Sequence, residues 1–492
     1  MAPQYNRSRV MRRWAAGLLF ILLFGATSFA QTSATFAIGD GGGMSFQTGG
    51  AASAAVAVGY AKVNPNPGAQ SPSGLAIIDF RQNNVLVSEA GVPASGLIAS
   101  GRIYAEIGST INTGIAIANP TNQTATITFF FTNSSGDFGS NLTTIAPNTQ
   151  IATFLNQAPF SAPSSLTGTF TFSSNIPISV VALRGRFNER SEFLLTTLPV
   201  TDLSAAPSAA PIVFPHFAAG GGWTTQIVLV NPTDATLTGG LEFRDPSGQV
   251  TNAFNNNLTY SIPPRSSFVM QASLASSPAL TGSVRIIPMG NTSTPAGLTV
   301  FSYQNRGVTV SEAGVPAASP GSAFRVFVES FGNFDQAAAG SMRTGLAIAN
   351  TSPQATSVVV EVKNLDGSTG LIGTLSIPGN GQTSLFLNQI PGIQTLLTPF
   401  RGMLQLTSFA PITIVGLRAR YNERNDLLIT TTPPGDEGVP PPATGLYFPD
   451  FADAGGYSTQ FVLFSAQPGQ TPSGTLQLVP QAGGTVNLVL SQ

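Results

Sequence analysis

Few side chains in this sequence are able to do chemistry, and most of those few recur. The single histidine, His216, sits in the segment FPHF, and a second copy of that segment reads FPDF, with Asp450 in the matching place. A histidine works as a base or metal ligand only with partners around it. A position that changes to Asp between copies suits a solvent-facing strand start. Arg184, Arg186, Asn188, Glu189 and Arg190 return as Arg418, Arg420, Asn422, Glu423 and Arg424. A spacing of two puts Arg184 beside Arg186, and Arg418 beside Arg420, on one strand face. Such pairs fit an anion or acidic-sugar cleft. The favoured reading is an ion-pair cluster at a hairpin tip, reaching Glu192 or Asp426, that docks one module on another. Glu89 and Glu312 stand in two copies of VSEAGVP. Glycoside hydrolysis needs two carboxylates about 5–10 Å apart, and no paired-carboxylate motif accompanies either Glu, so the expected partner is an Arg or a backbone donor at a module junction. Trp223 aligns with Tyr457; each is a candidate sugar-stacking platform or a core plug beside a strand start. Asp245 in RDPSG and Asp366 in LDG are lone acids in turns. Calcium takes six to eight oxygens, and hairpin-turn chemistry accounts for both.

Composition removes whole classes of activity. With no cysteine, thiol catalysis, disulfides, cysteine-ligated metals and a lipoprotein anchor are excluded. No Walker loop or G-x-S-x-G elbow is present, and His216 has no triad partners. The expectation is a chain without catalytic, cofactor or metal site. Charged residues make up 9%, against about 25% in ordinary soluble proteins, so Ser, Thr, Asn and Gln must keep the surface wet. Four of the 21 basic residues fall within the first 30, leaving 17 against 22 acidic and a formal charge of −5. A nucleic-acid binder needs a basic face; this chain has none.

Arg7, Arg9, Arg12 and Arg13, the apolar run 14–24, and Ser28 and Ala30 before Gln31 follow the order of a secretory signal peptide over 1–30. The run is short for a span of about 20 residues, and no later stretch is apolar enough to be one. A mature chain without a transmembrane span, exported to the medium or the cell envelope, is expected.

Internal repeats set the organisation. VSEAGVPAS (87–95) returns at 310–318, offset 223, and NTGIAIANPT (112–121) returns as RTGLAIANTS, offset 231. VALRGRFNERSEFLLTTLP (181–199) and FPHFAAGGGWTTQIVLV (214–230) both return at offset 234. Every module opens on one strand template: TGIAIAN, TQIVLVN, TGLAIAN, TQFVLFS. Complete modules are expected at 101–205, 206–322 and 323–440, with a back half at 31–100 and a front half at 441–492. These halves are complementary and would together complete a fourth module, closing the chain on itself. The alternative is partly ordered ends.

Within the template, Ile115 and Ile117 point one way and Ala116 and Ala118 the other. Both rows are apolar, which argues for a strand covered on both faces. No dozen-residue window of the mature chain repeats at 3.6, while turn residues punctuate apolar runs every 8–12 residues. The expected class is therefore all-β, as tandem sandwiches. With only Lys62 and Lys363 for lysines, sheet edges lack their usual charged protection, so the modules are expected to dock on each other.

In TTQIVLVNPTD (224–234), LEFRDPSG (241–248), YSIPPRSS (260–267) and ISVVALRGRFN (178–188), the chain resembles tandem immunoglobulin-like repeats of exported bacterial proteins, largely of unknown function. The resemblance implies a repeat fold in an envelope or extracellular setting, and no chemistry. Two readings follow. One is a non-catalytic structural or adhesion-type protein. The other is an array binding glycans, other extracellular polymers or proteins through Trp223, Tyr457 and the Arg pairs. A secreted hydrolase would need paired acids in one pocket, and an outer-membrane barrel conflicts with the prolines between modules.

Overall fold

The computed structural model describes residues 33–50, 54–254, 258–275, 278–441, 445–484, 488 and 490–491; the expected signal peptide lies outside them. The chain is all-β: among the described residues the only helices are single 3-10 turns at Phe334–Gln336 and Leu387–Gln389. Among the described residues no helix is long and apolar enough to cross a membrane, which says nothing of strands.

The strands build four two-layer units with one strand order, numbered I to IV here. Sandwich III has one sheet of Ile212–Ala219, Leu280–Pro288, Leu237–Arg244 and Thr259–Ile262, and another of Ser267–Ser273, Trp223–Val230, Ala296–Asn305 and Val308–Pro316. Sandwich II keeps that order but fuses two strands. Leu166–Phe187 runs 22 residues through both layers, pairing first with Ile98–Ile107 and Ala125–Asn133, then with Ile111–Asn119 and Phe193–Leu198. Phe400–Tyr421 does the same in sandwich IV.

Sandwich I takes strands from both ends of the chain. One sheet runs Leu446–Asp453, Ala57–Pro65, Ser473–Pro480, Ser33–Ala37; the other contains Gly43–Thr48, Tyr457–Phe464, Ser73–Gln82 and Val85–Pro93 in that order. Strand for strand this is sandwich III, with the break between the two segments falling where III connects Leu237–Arg244 to Thr259–Ile262.

The doubly apolar opening strand explains the assembly. In Ile111–Asn119, Ile115 and Ile117 lie in the core of II, whereas Ala116 belongs to a cluster with the core of I. The same holds around the molecule. Ile227 and Leu229 serve III, and Val228 and Val230 press on II. Leu346 and Ile348 serve IV, and Ala347 meets Phe301 and Val315 of III. Phe461 and Leu463 serve I, and Val462 and Phe464 meet Phe327 and Met403 of IV. Each sandwich thus lays its second apolar face on the one before it, and the sequence of contacts I–II, II–III, III–IV, IV–I closes. Head-to-tail contacts that return to their start form a ring; here a single chain supplies all four.

A buried asparagine fixes the end of the opening strand in three of the four sandwiches. The side-chain amide of Asn231 donates to the carbonyls of Ala235, Ile262 and Pro263, while its Oδ1 accepts from the Thr233 N–H. Asn119 and Asn350 repeat this on Gln123, Ile145, Ala146 and on Gln354, Ile377, Pro378. Ser465 holds the place in I, its hydroxyl donating to Gln467 or Gln470. This accounts for the N-P-T and I-P-P elements of the repeat: the amide ties the strand end to the next hairpin.

Candidate functional site

The equivalent edge strands Val85–Pro93, Phe193–Leu198, Val308–Pro316 and Leu427–Thr432, one from each sandwich, converge at the middle of the ring. Edge strands carry unpaired backbone groups, and serine resolves this here. The Leu195 N–H donates to Ser88 Oγ at 2.7 Å, and the Ser88 hydroxyl returns to the Leu195 carbonyl at 3.2 Å. Ser311 does the same for Ile429 at 2.7 and 3.2 Å. In the same motif Gly91 and Gly314 let a neighbouring backbone pass. A Cβ on either would fall on the carbonyl oxygen of Thr431 or Thr197 respectively.

Glu312 and Glu89 are the electrostatic foci. Arg184 Nη1 of sandwich II pairs with Glu312 of III, as does Arg186 at 2.9 Å, and Arg184 also reaches Glu106 at 3.2 Å. Across the ring, Arg418 of IV meets Glu89 of I at 3.3 Å and Glu329 at 3.2 Å, and Arg420 meets Glu89 at 3.0 Å. Arg184, Glu312, Arg418 and Glu89 are 3, 3, 4 and 2% exposed. Burial works against ionising Glu89, but the two guanidiniums prevail and hold its carboxyl below the usual range. Arg190 bonds Glu192 and Asp426 at 3.0 and 2.6 Å, and Arg424 bonds Glu192 at 2.5 Å, joining II directly to IV.

One difference between the two foci exchanges a hydroxyl for an acid. Beside Glu312 stands Ser302, whose hydroxyl donates to it at 3.0 Å. The register partner of Glu89 is Asp79. Burial, then the charge of Glu89, pushes the Asp79 carboxyl up to about 7, so it keeps a proton where an ordinary carboxyl has lost it.

One expectation needs correction. His216 is not a solvent-facing strand start. It is half-buried at the III–IV junction with Nδ1 3.1 Å from Gln382 Nε2, and burial lowers its pKa to about 4. Its counterpart Asp450 is buried at the I–II junction against the Gln150 amide, and burial raises it to about 7. The inner members of the Arg clusters are buried between sandwiches, because the second apolar face of each strand drives docking that takes them out of water. Trp223 is partly buried against the apolar cluster between III and IV. It stacks on Tyr303 at 4.6 Å and lines a cleft between III and IV, while Tyr457 is buried on Phe80 at 4.4 Å. Asp245 and Asp366 hold turns by accepting from Ser247, Gln249 and Ser368. Gln150, Gln382, Glu106, Glu329, Ser88 and Ser311 escaped the reading of the sequence; their signal was recurrence at equivalent strand positions, without a motif to mark it.

No family of known proteins matches the chain, and no curated protein does. Among solved structures, the VP2 subviral particle of infectious bursal disease virus aligns at 9% identity over 95% of this chain and 86% of that one, with a TM-score of 0.13. PorU from Porphyromonas gingivalis gives 7% identity over 68% and 34%, TM-score 0.13. A tetra-tandem repeat from the extending region of a large adhesion protein gives 11% over 76% and 92%, TM-score 0.10. Superpositions this poor say nothing about how the chain folds or acts.

Proposed function

We propose that this is an exported, non-catalytic structural or adhesion-type protein whose four sandwiches act as one closed block. The observation that supports it most is the use made of its reactive side chains: Arg184, Arg186, Arg418, Arg420, Glu89 and Glu312 bind one another across sandwich boundaries. Groups so engaged serve cohesion. Buried ion pairs contribute little net stability over apolar replacements but are costly to break, which suits them to fixing how the sandwiches meet.

Excision of sandwich III alone, 206–322, tests the reading. Its Val228, Val230, Leu298 and Val300 lie within the buried cluster of II, so the fragment is expected to aggregate or melt well below the whole chain. A fragment as soluble and stable as the whole would show the block to be a string of independent beads. Gentle fractionation of the source cells tests the export: the protein belongs in the medium or envelope fraction, and recovery in the cytoplasm contradicts it.

A further inference from the structure

The junctions I–II and III–IV are built from equivalent residues, yet one is filled and the other holds a cleft. At I–II, Phe193 reaches across the boundary, with ring centroids 6.3 Å from Phe80, 6.3 Å from Phe154 and 5.2 Å from Phe187. Gly185 makes room for it, since a Cβ there would sit 2.6 Å from the Phe193 ring. At offset 234 these positions become Leu427 and Ala419. The III–IV junction accordingly has aromatic groups on both sides and no ring between them. Trp223 stacks with Tyr303 and His216 faces Phe301 on one side; Phe334 packs on Phe386 and Tyr421 on the other. Among the described residues no ring pair links the two sides. The space between is about 290 Å³, lined by His216, Trp223 and Phe301 from III and Phe386, Leu417 and Leu427 from IV. An apolar cavity of roughly 150 Å³ holds a benzene, so this one takes a substituted ring.

His216 is one of the polar residues that line the same space, with Thr281, Ser384 and Gln389. The Gln382 amide donates to His216 Nδ1, which fixes the tautomer with hydrogen on Nε2. Among the described residues that N–H has no protein acceptor.

We propose that this cleft binds a small planar aromatic molecule carrying a hydrogen-bond acceptor, its ring filling the place of Phe193 in the sister junction and its acceptor meeting His216 Nε2–H. The inference is independent of the scaffold reading, and its failure would leave the ring of sandwiches untouched.

The test is fluorine NMR of 4-fluorobenzamide with the full chain. The wild type should broaden the resonance saturably. Benzamide should displace the probe at least tenfold better than cyclohexanecarboxamide, which has the acceptor without the flat ring. Leu427→Phe with Ala419→Gly rebuilds the filled junction and should weaken binding at least tenfold; Ser384→Met, which lengthens a side chain on the cleft wall, should do the same. Absence of saturable broadening with the wild type overturns the proposal, as does equal displacement by the two amides or undiminished binding by the refilled chain. Should the refilled chain fail to fold by circular dichroism, undiminished binding by Ser384→Met overturns it.

Discussion

Glu312 and Glu89 occupy the same place in two copies of one motif, and each takes two arginines from a sandwich it does not belong to. Their neighbours set them apart. Ser302 gives Glu312 a neutral donor, whereas Asp79 sets a second acid against Glu89 and must hold a proton to remain there. A buried charge focus can thus be closed either by a hydroxyl or by a protonated carboxyl, and only the second makes the junction answer to pH. The apolar junctions differ in parallel. I–II is filled by Phe193 and carries Asp450, while III–IV is open at Leu427 and carries His216.

The largest effect should come from removing an acceptor. Glu312→Ala takes the buried acceptor from Arg184 and Arg186 and leaves Arg184 with Glu106 alone, and breaking a buried pair costs about 3–5 kcal/mol. Glu89→Ala should cost about 2 kcal/mol less at neutral pH, because Asp79 can ionise once its acidic neighbour has gone and can then pair with Arg420, now 3.6 Å away. Equal losses in denaturant midpoints would end the distinction between the two foci.

Next in size is a pH effect. Folded Asp79 keeps its proton to about pH 7, while in the unfolded chain it titrates near 4. Between those values the unfolded state has shed a proton that the folded state holds, so stability falls as pH rises from about 4 to 7. Asp79→Ser copies the Ser302 arrangement. It should add on the order of 2 kcal/mol at pH 8 and nothing at pH 4, as read from urea midpoints. Asp450 has the same sign and leaves part of the slope in place. His216 acts oppositely. Neutral when folded down to about pH 4, it favours the folded state above about 6.5 and loses that contribution as pH falls towards 4. Between about pH 5 and 8, above the carboxyls whose pKa is lowered, such as Glu89, a nearly flat profile in the Asp79→Ser, Asp450→Asn, His216→Phe chain is the expected limit.

The smallest effect belongs to an exposed pair. Arg81 and Glu423 also join I to IV, at 2.6 Å, but their side chains are 39 and 42% exposed. Arg81→Ala should cost about 0–1 kcal/mol and fade in salt. A loss comparable with Glu312→Ala would mean that burial is not what separates these contacts.

Much of the fold was legible in the sequence because strand period and repeat period are written in residue types. The two apolar rows of TGIAIAN foretell a strand covered on both faces, and the recurrence of VSEAGVP marks equivalent positions. What covers the second face was not legible, because a row of alanines or valines names no partner. Nor was the exposure of the Arg pairs. A period of two puts Arg184 and Arg186 on one face, but only docking decides whether that face meets water or Glu312. His216 misled for the same reason, since a swap with Asp450 resembles a surface position until Gln382 and Gln150 are brought against each from another sandwich.

The claim on which the rest depends is that segments 440 residues apart in the chain share a sheet, and the absence of native cysteine makes it directly measurable. Thr35 and Thr475 stand opposite each other on antiparallel strands, within the Cα separation that a disulfide spans. Oxidised Thr35→Cys, Thr475→Cys chain should give one intramolecular disulfide, seen as a faster-migrating monomer without reductant and as the linked peptide by mass spectrometry. Thiols that stay free, or that link only between molecules, would contradict the closed ring.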